Sequence, residues 1–391
     1  MKLHEVKSKS DIKEFHRTPF EIYRNDTQWI PYIENDIEKV FNPKHNKLYA
    51  EGGEAIRWNL KDDNGNLIGR VAAFINPKTK NTTSYTTGGM GFFECVNDKQ
   101  ASFMLFDACK IWLEEKGMQA MDGPINFGDR NQFWGCMTSN FDNPPIYQMN
   151  YNPEYYSTFF EEYGFGTYFN QLVFWRSLRE ATQPIFHRKY EQIKDDPNFV
   201  IKNIRGMKLS QVAENFRTVY NGAWGGHSHF KPMPAVTAQK IMNSLKPIID
   251  REIILFVYYK GEPIAFYVNI PELNELFKHV DGKMNWWGII KFLYFKCTTK
   301  PKRMIGLVFG VIKEWQGKGI EAALVVHGEK FIVDQLKYED TVLTWIGDFN
   351  PKMLKVAENL GATLWRTYKT YRYQFDRNAP FERAPIVESA S

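Results

Sequence analysis

Cysteine is scarce: the chain of 391 residues holds four, Cys95, Cys109, Cys136 and Cys297. None stands in C-x-x-C spacing or beside a histidine cluster, so they read as reduced, buried thiols, with no metal site and no disulfide framework. Also missing is any run of about 18 consecutive apolar residues, the length a membrane-spanning helix needs. The start, Met1-Lys2-Leu3-His4-Glu5-Val6, lacks the apolar core and small-residue cleavage site of a secretion signal. The expectation is a cytoplasmic protein, with peripheral contact to the inner membrane face left open. Charge of one sign is nowhere concentrated. Lys and Arg number 50 against 45 Asp and Glu, a net +5, and without a basic arm nucleic acid is not an expected partner.

Aromatic residues, by contrast, are plentiful at 16%, within a composition 43% apolar and 24% charged. That balance is globular, and the aromatic excess points to large grooves or apolar ligands. The length suits two domains of roughly 150 to 200 residues each.

An internal echo supports two. Tyr151-Asn152-Pro153 with Gly164-Phe165 matches Phe349-Asn350-Pro351 with Gly361-Ala362. In each copy Asn is expected to cap a helix, Pro to occupy its first turn and Gly to end it, with a strand to follow: 168–175 in the first copy, 363–375 in the second. Upstream of the second copy, hydrophobic patterning gives a strand (199–205), two helices (209–220 and 236–249), and a hairpin of strands (253–259 and 263–269) turning at Lys260-Gly261-Glu262. An aromatic insertion, a strand (304–312), a glycine loop, a helix (320–336) and a strand (341–346) complete the half. The first half follows a similar order, with strands 55–60 and 68–75 flanking the turn Asp62-Asp63-Asn64-Gly65-Asn66. The expected architecture is α/β, two tandem mixed-sheet domains over 1–180 and 198–377, with the boundary at 180–198.

The segment Gly310 to Leu324 contains Gln316-Gly317-Lys318-Gly319-Ile320 between a strand and a helix. Backbone N–H groups unobstructed by side chains, at the positive end of a helix, form a pyrophosphate cradle. The segment resembles the signature of the Gcn5-related N-acetyltransferase (GNAT) superfamily, Arg/Gln-x-x-Gly-x-Gly/Ala, except that Glu321 stands where Gly or Ala is usual. The resemblance implies two tandem GNAT-like acyl-CoA N-acyltransferase domains. It also implies acetyl-CoA or a longer acyl-CoA as donor, seated on Gln316, Gly317, Lys318, Gly319 and Ile320 with Asn350 nearby, and an amine acceptor, either a small molecule or a lipid. At the first half's corresponding position, Glu94 to Ala101, no glycine occurs, which marks that half as the degenerate copy. Tandem arrangements of this kind resemble N-myristoyltransferases and Fem-type transferases, where one half keeps the donor and the other shapes the acceptor groove.

By the same resemblance a backbone N–H near Val311 meets the thioester oxygen. The tyrosine many members use as general acid is replaced by Ala357. Tyr368 is the candidate to stand in for it, with Tyr371, Tyr373 and Asp348 as others. His229 is the candidate base, alongside His227, Glu272 and His279, since histidine titrates near neutrality. The loop 122–135, mixing aromatics with amides, reads as a cleft lining or as a domain-junction loop. Trp286 to Phe295, bulky residues bracketed by lysines, reads as a buried insertion helix or as an interfacial helix on a membrane. The readings as a lipid-modifying N-acyltransferase acting on a sphingoid-type base, and as a non-catalytic scaffold, remain beside plain N-acylation. Monomer and homodimer are both open.

Overall fold

The computed structural model describes residues 1–225, 231–334 and 338–387. The first half runs β1 (Lys2–Glu5), α1 (Lys9–Ile22), α2 (Glu34–Phe41), β2 (Glu54–Lys61), β3 (Leu67–Ile75), β4 (Thr87–Cys95), α3 (Lys99–Glu115), β5 (Ala120–Gly123), β6 (Cys136–Met137), α4 (Tyr155–Tyr163) and β7 (Gly166–Ser177). A helix α5 (Pro184–Glu191) joins it to β8 (Phe199–Asn203), α6 (Leu209–Trp224), α7 (Ala235–Leu245), β9 (Ile254–Tyr259), β10 (Glu262–Pro271), α8 (Asn274–Phe277), α9 (Trp286–Thr298), β11 (Arg303–Val311), α10 (Ile320–Asp334), β12 (Asp340–Gly347), α11 (Pro351–Asn359) and β13 (Thr363–Gln374).

Local chemistry explains many of these boundaries. The Asp62 carboxylate accepts from the backbone of Asn64 and Asn66, closing the β2–β3 turn. Lys260 and Gly261 both adopt left-handed φ, 48° and 87°, the two-residue turn whose twist matches antiparallel strands. Asn350 caps α11 through the Met353 N–H, with Pro351 in the first turn. Its counterpart does not: Asn152 leaves α4 uncapped and instead exchanges two hydrogen bonds with the Met137 backbone, at 2.7 and 3.1 Å. The echo of Asn-Pro therefore serves different ends in the two halves.

Among the described residues thirteen strands form one continuous sheet, in the order β1-β2-β3-β4-β5-β13-β7-β12-β11-β10-β9-β8, with β6 on β13. The last strand of each half crosses over. β13 pairs antiparallel with β5 of the first half, and β7 with β12 of the second, while β7 and β13 pair with each other. Packing follows the exchange. Tyr371 and Tyr373 of β13 lie in the first-half core, Tyr371 stacked on Phe160 at 5.0 Å, whereas Phe174 of β7 packs with Ile346 and Ala357 in the second half. A buried bidentate pair, Arg372 to Asp122 at 2.7 and 2.9 Å, fastens β13 to β5. Polar groups so enclosed hold position because their ionic and hydrogen-bonding needs are met together.

Helices cover both faces: α10 and α11 pack on one face of the second half, α6 and α7 on the other. The stretch expected as a domain boundary holds α5, whose Phe186 packs on Ala322 and Val326 of α10.

A cavity through the sheet at the glycine loop

The cradle is built where β11 ends. Gln316 folds back so that its Nε2 donates to the Val311 carbonyl at 3.0 Å, and Ile320, fully buried beside Leu324 and Val311, anchors the start of α10. Between them Gly317 and Gly319 take φ of 75° and 85°, a left-handed backbone that other residues adopt at a cost. A Cβ on Gly317 would meet nothing within 4 Å, leaving the loop open, while one on Gly319 would lie 3.3 Å from the Lys189 carbonyl of α5. Lys318 turns outward over the Trp315 ring. The Glu321 carboxylate curls back toward the loop and accepts a long hydrogen bond of 3.4 Å from the Gly317 N–H. An anionic group thus already rests on this amide, as the chemistry of a helix N-terminus favours.

Beside the loop the sheet opens. β11 and β12 run parallel from Arg303–Asp340 to Gly306–Leu343 and then diverge. At that level β11 carries a bulge: Gly306 faces Asn269 and Val308 faces Val268, so Leu307 has no opposite number on β10. A bulge bends its strand and re-aims the backbone. A cavity of about 1010 Å³ passes through the gap, walled by 306–309 of β11, 343–347 of β12, Ala357 of α11 and Trp224 of α6. Phe186 and Lys189 of α5 form part of its wall near Gly317. Arg130 reaches it from the first half, its guanidinium between 5.5 and 5.9 Å from the ring centres of Trp134, Phe169, Trp345 and Phe349.

At the narrow end of the gap stands Tyr267, which sequence reasoning did not single out. A Cβ on Gly306 would lie 3.1 Å from its hydroxyl and 3.5 Å from Asn269 Oδ1. Asn269 Oδ1 and the Thr341 hydroxyl are buried with no hydrogen-bond partner among the described residues. Burial pushes the Tyr267 phenol above its ordinary pKa, against the pull of the Arg176 charge. It therefore keeps its proton at neutral pH. The signal in the sequence was faint: alternation along β10 puts Tyr267 on the same face as Ala265 and Asn269, and nothing local distinguishes it from a core tyrosine.

No family model matches the sequence. Two curated relatives align over nearly the whole chain. Protein YghO of Escherichia coli (strain K12) is 24% identical over 375 residues, 94% of each chain. The bacterial ceramide synthase of Caulobacter vibrioides is 24% identical over 383 residues, 94% of this chain and 95% of its own. Among solved structures, a tandem GNAT protein from the clavulanic acid biosynthesis pathway superposes with a TM-score of 0.53 at 9% identity, over 97% of this chain and 99% of its own. The Gcn5-related glucosamine N-acetyltransferase region of a fungal multi-domain enzyme gives the same TM-score at 12% identity, matching 95% of this chain and 38% of that one. The chain has the tandem GNAT fold.

Within this tandem GNAT fold the first half repeats the geometry and then fills it. β4 carries the equivalent bulge: Glu94 faces Arg70 and Gly91 faces Ala72, with Phe92 at φ 52° between them. Parallel pairing to β5 stops at Gly89–Asp122. There the chain loops back into the gap. The Ile125 N–H donates to the Met90 carbonyl at 2.8 Å, and the Ile125 carbonyl comes so close that a Cβ on Gly91 would lie 1.8 Å from it. Phe127, Phe133 and Trp134 of the same loop are buried behind the plug. At the start of α3 the amides of Gln100 and Ala101 are taken by the Asp98 carboxylate, at 2.8 and 3.1 Å. An anion cradle is thus satisfied from within the chain. Both readings of loop 122–135 hold, since it seals its own half and lends Asp129, Arg130 and Asn131 to the cavity of the other.

The sequence-predicted residues are scattered by comparison. Gly317, Asn350 and Glu321 line the cavity. Val311 is a buried strand end paired with Ala265. Tyr368 is fully buried on β13 opposite Gln171 and Met137, its hydroxyl without a partner among the described residues. Tyr371 donates to Glu161. Asp348 accepts from Asn170 and pairs with Arg383. Glu272 is buried at the end of β10, where one oxygen accepts from the Tyr147 and Asn274 amides and the other has no partner among the described residues. His279 stacks on Phe295 at 3.7 Å. His227 and His229 lie outside the described residues.

Proposed function

We propose that this protein is an acyl-CoA-dependent N-acyltransferase that takes a long-chain thioester and acylates the amine of an amino-lipid of the sphingoid-base type. The observation carrying this reading is the through-sheet cavity beside the glycine cradle 316–320. Its volume of about 1010 Å³ sits at the top of the range for small-molecule sites and far exceeds what an acetyl group fills. The likeness to a ceramide synthase over 94% of the chain supports the lipid acceptor.

In this reading the loop 316–320 and the first turn of α10 hold the pyrophosphate, with Lys189 supplying positive charge from α5. The backbone at the bulge, around Leu307 and Val308, donates to the thioester oxygen in place of the amide near Val311, because it faces the cavity where the strands part. The amine nitrogen attacks the carbonyl carbon, the C–S bond breaks, and the nitrogen's proton must reach the departing thiolate. Tyr267, protonated and at the narrow end of the gap, is the group placed to pass that proton on. The first half provides the sealed wall and Arg130.

Titration calorimetry with acetyl-CoA and a long-chain acyl-CoA tests this. Heat with the long-chain thioester well above that with acetyl-CoA is expected, together with amide formation on a sphingoid base. Absence of heat with any thioester would favour a scaffold that kept the fold, for which Glu321 and Ala357 are the specific observations. Gly319→Asp is expected to weaken the donor at least about tenfold, by blocking the phosphate approach and crowding Lys189. Unchanged affinity would remove the donor from this loop.

A further inference from the structure

Between residues 278 and 302 the sequence carries six lysines, at 278, 283, 291, 296, 300 and 302, and one acid, Asp281. Within this stretch α9 is held to the molecule along one edge. Phe292 is buried against Leu273, Phe277 and Val280, and Phe295 packs beside it. The rest of the helix is apolar and uncovered: Trp286 is 72% and Trp287 69% exposed, and Ile289, Ile290, Leu293 and Tyr294 are exposed as well. At about 100° per residue these six side chains fall within an arc of roughly 160°, and Lys291 and Lys296 flank its two sides. A helix with apolar residues on every side is normally buried all round; here only the narrow edge opposite the arc is.

We infer that α9 is a docking surface for an anionic lipid bilayer. Large aromatics suit the interfacial zone, where the ring is desolvated and its polar edge stays wet. The lysine border matches acidic headgroups, each cation near the surface adding attraction that salt screens. No described helix is long and apolar enough to cross a membrane, so α9 lies in the surface plane. Of the six lysines, Lys291 lies 3.5 Å from Asp281 and Lys302 3.3 Å from Glu339, while Lys296 donates to the Pro247 carbonyl, so the stretch keeps a net positive charge. A second copy of this chain would have to bring lysine against lysine across a two-fold contact, which disfavours self-association through this face. This inference is independent of the donor chemistry, because docking needs no acyl-CoA.

Flotation of the full chain with vesicles tests it, in the absence of any thioester. Association with phosphatidylglycerol-containing vesicles is expected, falling at least about tenfold on pure phosphatidylcholine or in high salt. Trp287→Glu with Leu293→Glu should abolish it, and Lys291→Glu with Lys296→Glu should remove the dependence on anionic lipid. These side chains are exposed, so thermal melts of the variants should match the parent. A probe on Cys297, the one exposed cysteine, should shift to the blue with anionic vesicles. Failure of the parent to float with anionic vesicles, or flotation that the variants leave intact, overturns the inference. So does a concentration-dependent dimer in sedimentation velocity that Trp287→Glu dissolves. Loss of acyl transfer with flotation retained would count against the enzyme reading alone.

Discussion

Glu321 sits in the first turn of α10 with its carboxylate on the Gly317 amide, the N–H a phosphate would take in the proposed function. A donor must displace it or share the site with it. Replacing it with Gln or Ala removes a negative charge from a helix N-terminus, an interaction worth up to about 1 kcal/mol at a partly exposed position. Glu321→Ala is therefore expected to tighten the donor by about fivefold in calorimetry, and weaker binding would assign Glu321 a supporting role. Glu272 carries a different consequence. Burial lifts its carboxyl to about 7, against the amides of Asn274 and Tyr147, from an unfolded value of 4.5. A raised folded pKa favours the protonated native form. That contribution is fully present below pH 4.5 and is lost as pH rises through 7, at most about 3 kcal/mol in all. Glu272→Gln should flatten the fall in melting temperature between pH 5 and 8; parallel slopes for the two proteins would refute this. Which of these residues mattered was only partly legible. Gly317 and Gly319 stood out because a left-handed loop leaves few alternatives. Gly91 did not, because its requirement arises from the Ile125 carbonyl, distant in sequence and brought near only by the fold.

At the scale of elements, α5 is the piece the sequence disguised. Arg179 to Pro184 and Lys194 to Pro197 punctuate the chain as a linker does, and only eight residues separate them as helix. Too few turns exist there for periodicity to speak. Yet Phe186 seats this helix on α10, and Lys189 and Phe186 wall the cavity. Phe186→Ala removes a buried ring, a change that typically costs about 3 kcal/mol or more. It should speed proteolysis within 180–198 and raise the KM for the donor several-fold, with little change in the melting of the sheet. Proteolysis at the parent rate would mean that α5 is held by something else. The paired strands were more legible. Their bulges were not, since a bulge is a register difference between two strands and neither sequence records it alone.

For the whole molecule the echo of Asn-Pro and Gly announced two copies, and the alternation of elements gave the mixed sheet. What it could not announce was the exchange of β7 and β13. Either strand satisfies its own pattern beside any suitable edge, and partner choice is settled by contacts such as Arg372 with Asp122 and Tyr371 with Phe160, some two hundred residues apart. Residues 1–180 alone would expose β5 on one side and β7 on the other with the core tyrosines missing. That fragment is expected to lack a cooperative melt, and co-expression with 181–391 is expected to restore one. A stable, monomeric first fragment would show the exchange to be dispensable.

The position of β13 has a further consequence for how the protein is made. Its strand is near the middle of the sheet yet follows every other strand of that sheet in chain order, so the ribosome delivers the centre after both flanks. Until residue 374 has cleared the tunnel, β5 and β7 present open edges and a half-built aromatic core, the surfaces on which nascent chains misassemble. Residues 363–374 must therefore be made before the first half can close, and the interval until then is when a holding chaperone would have most to do.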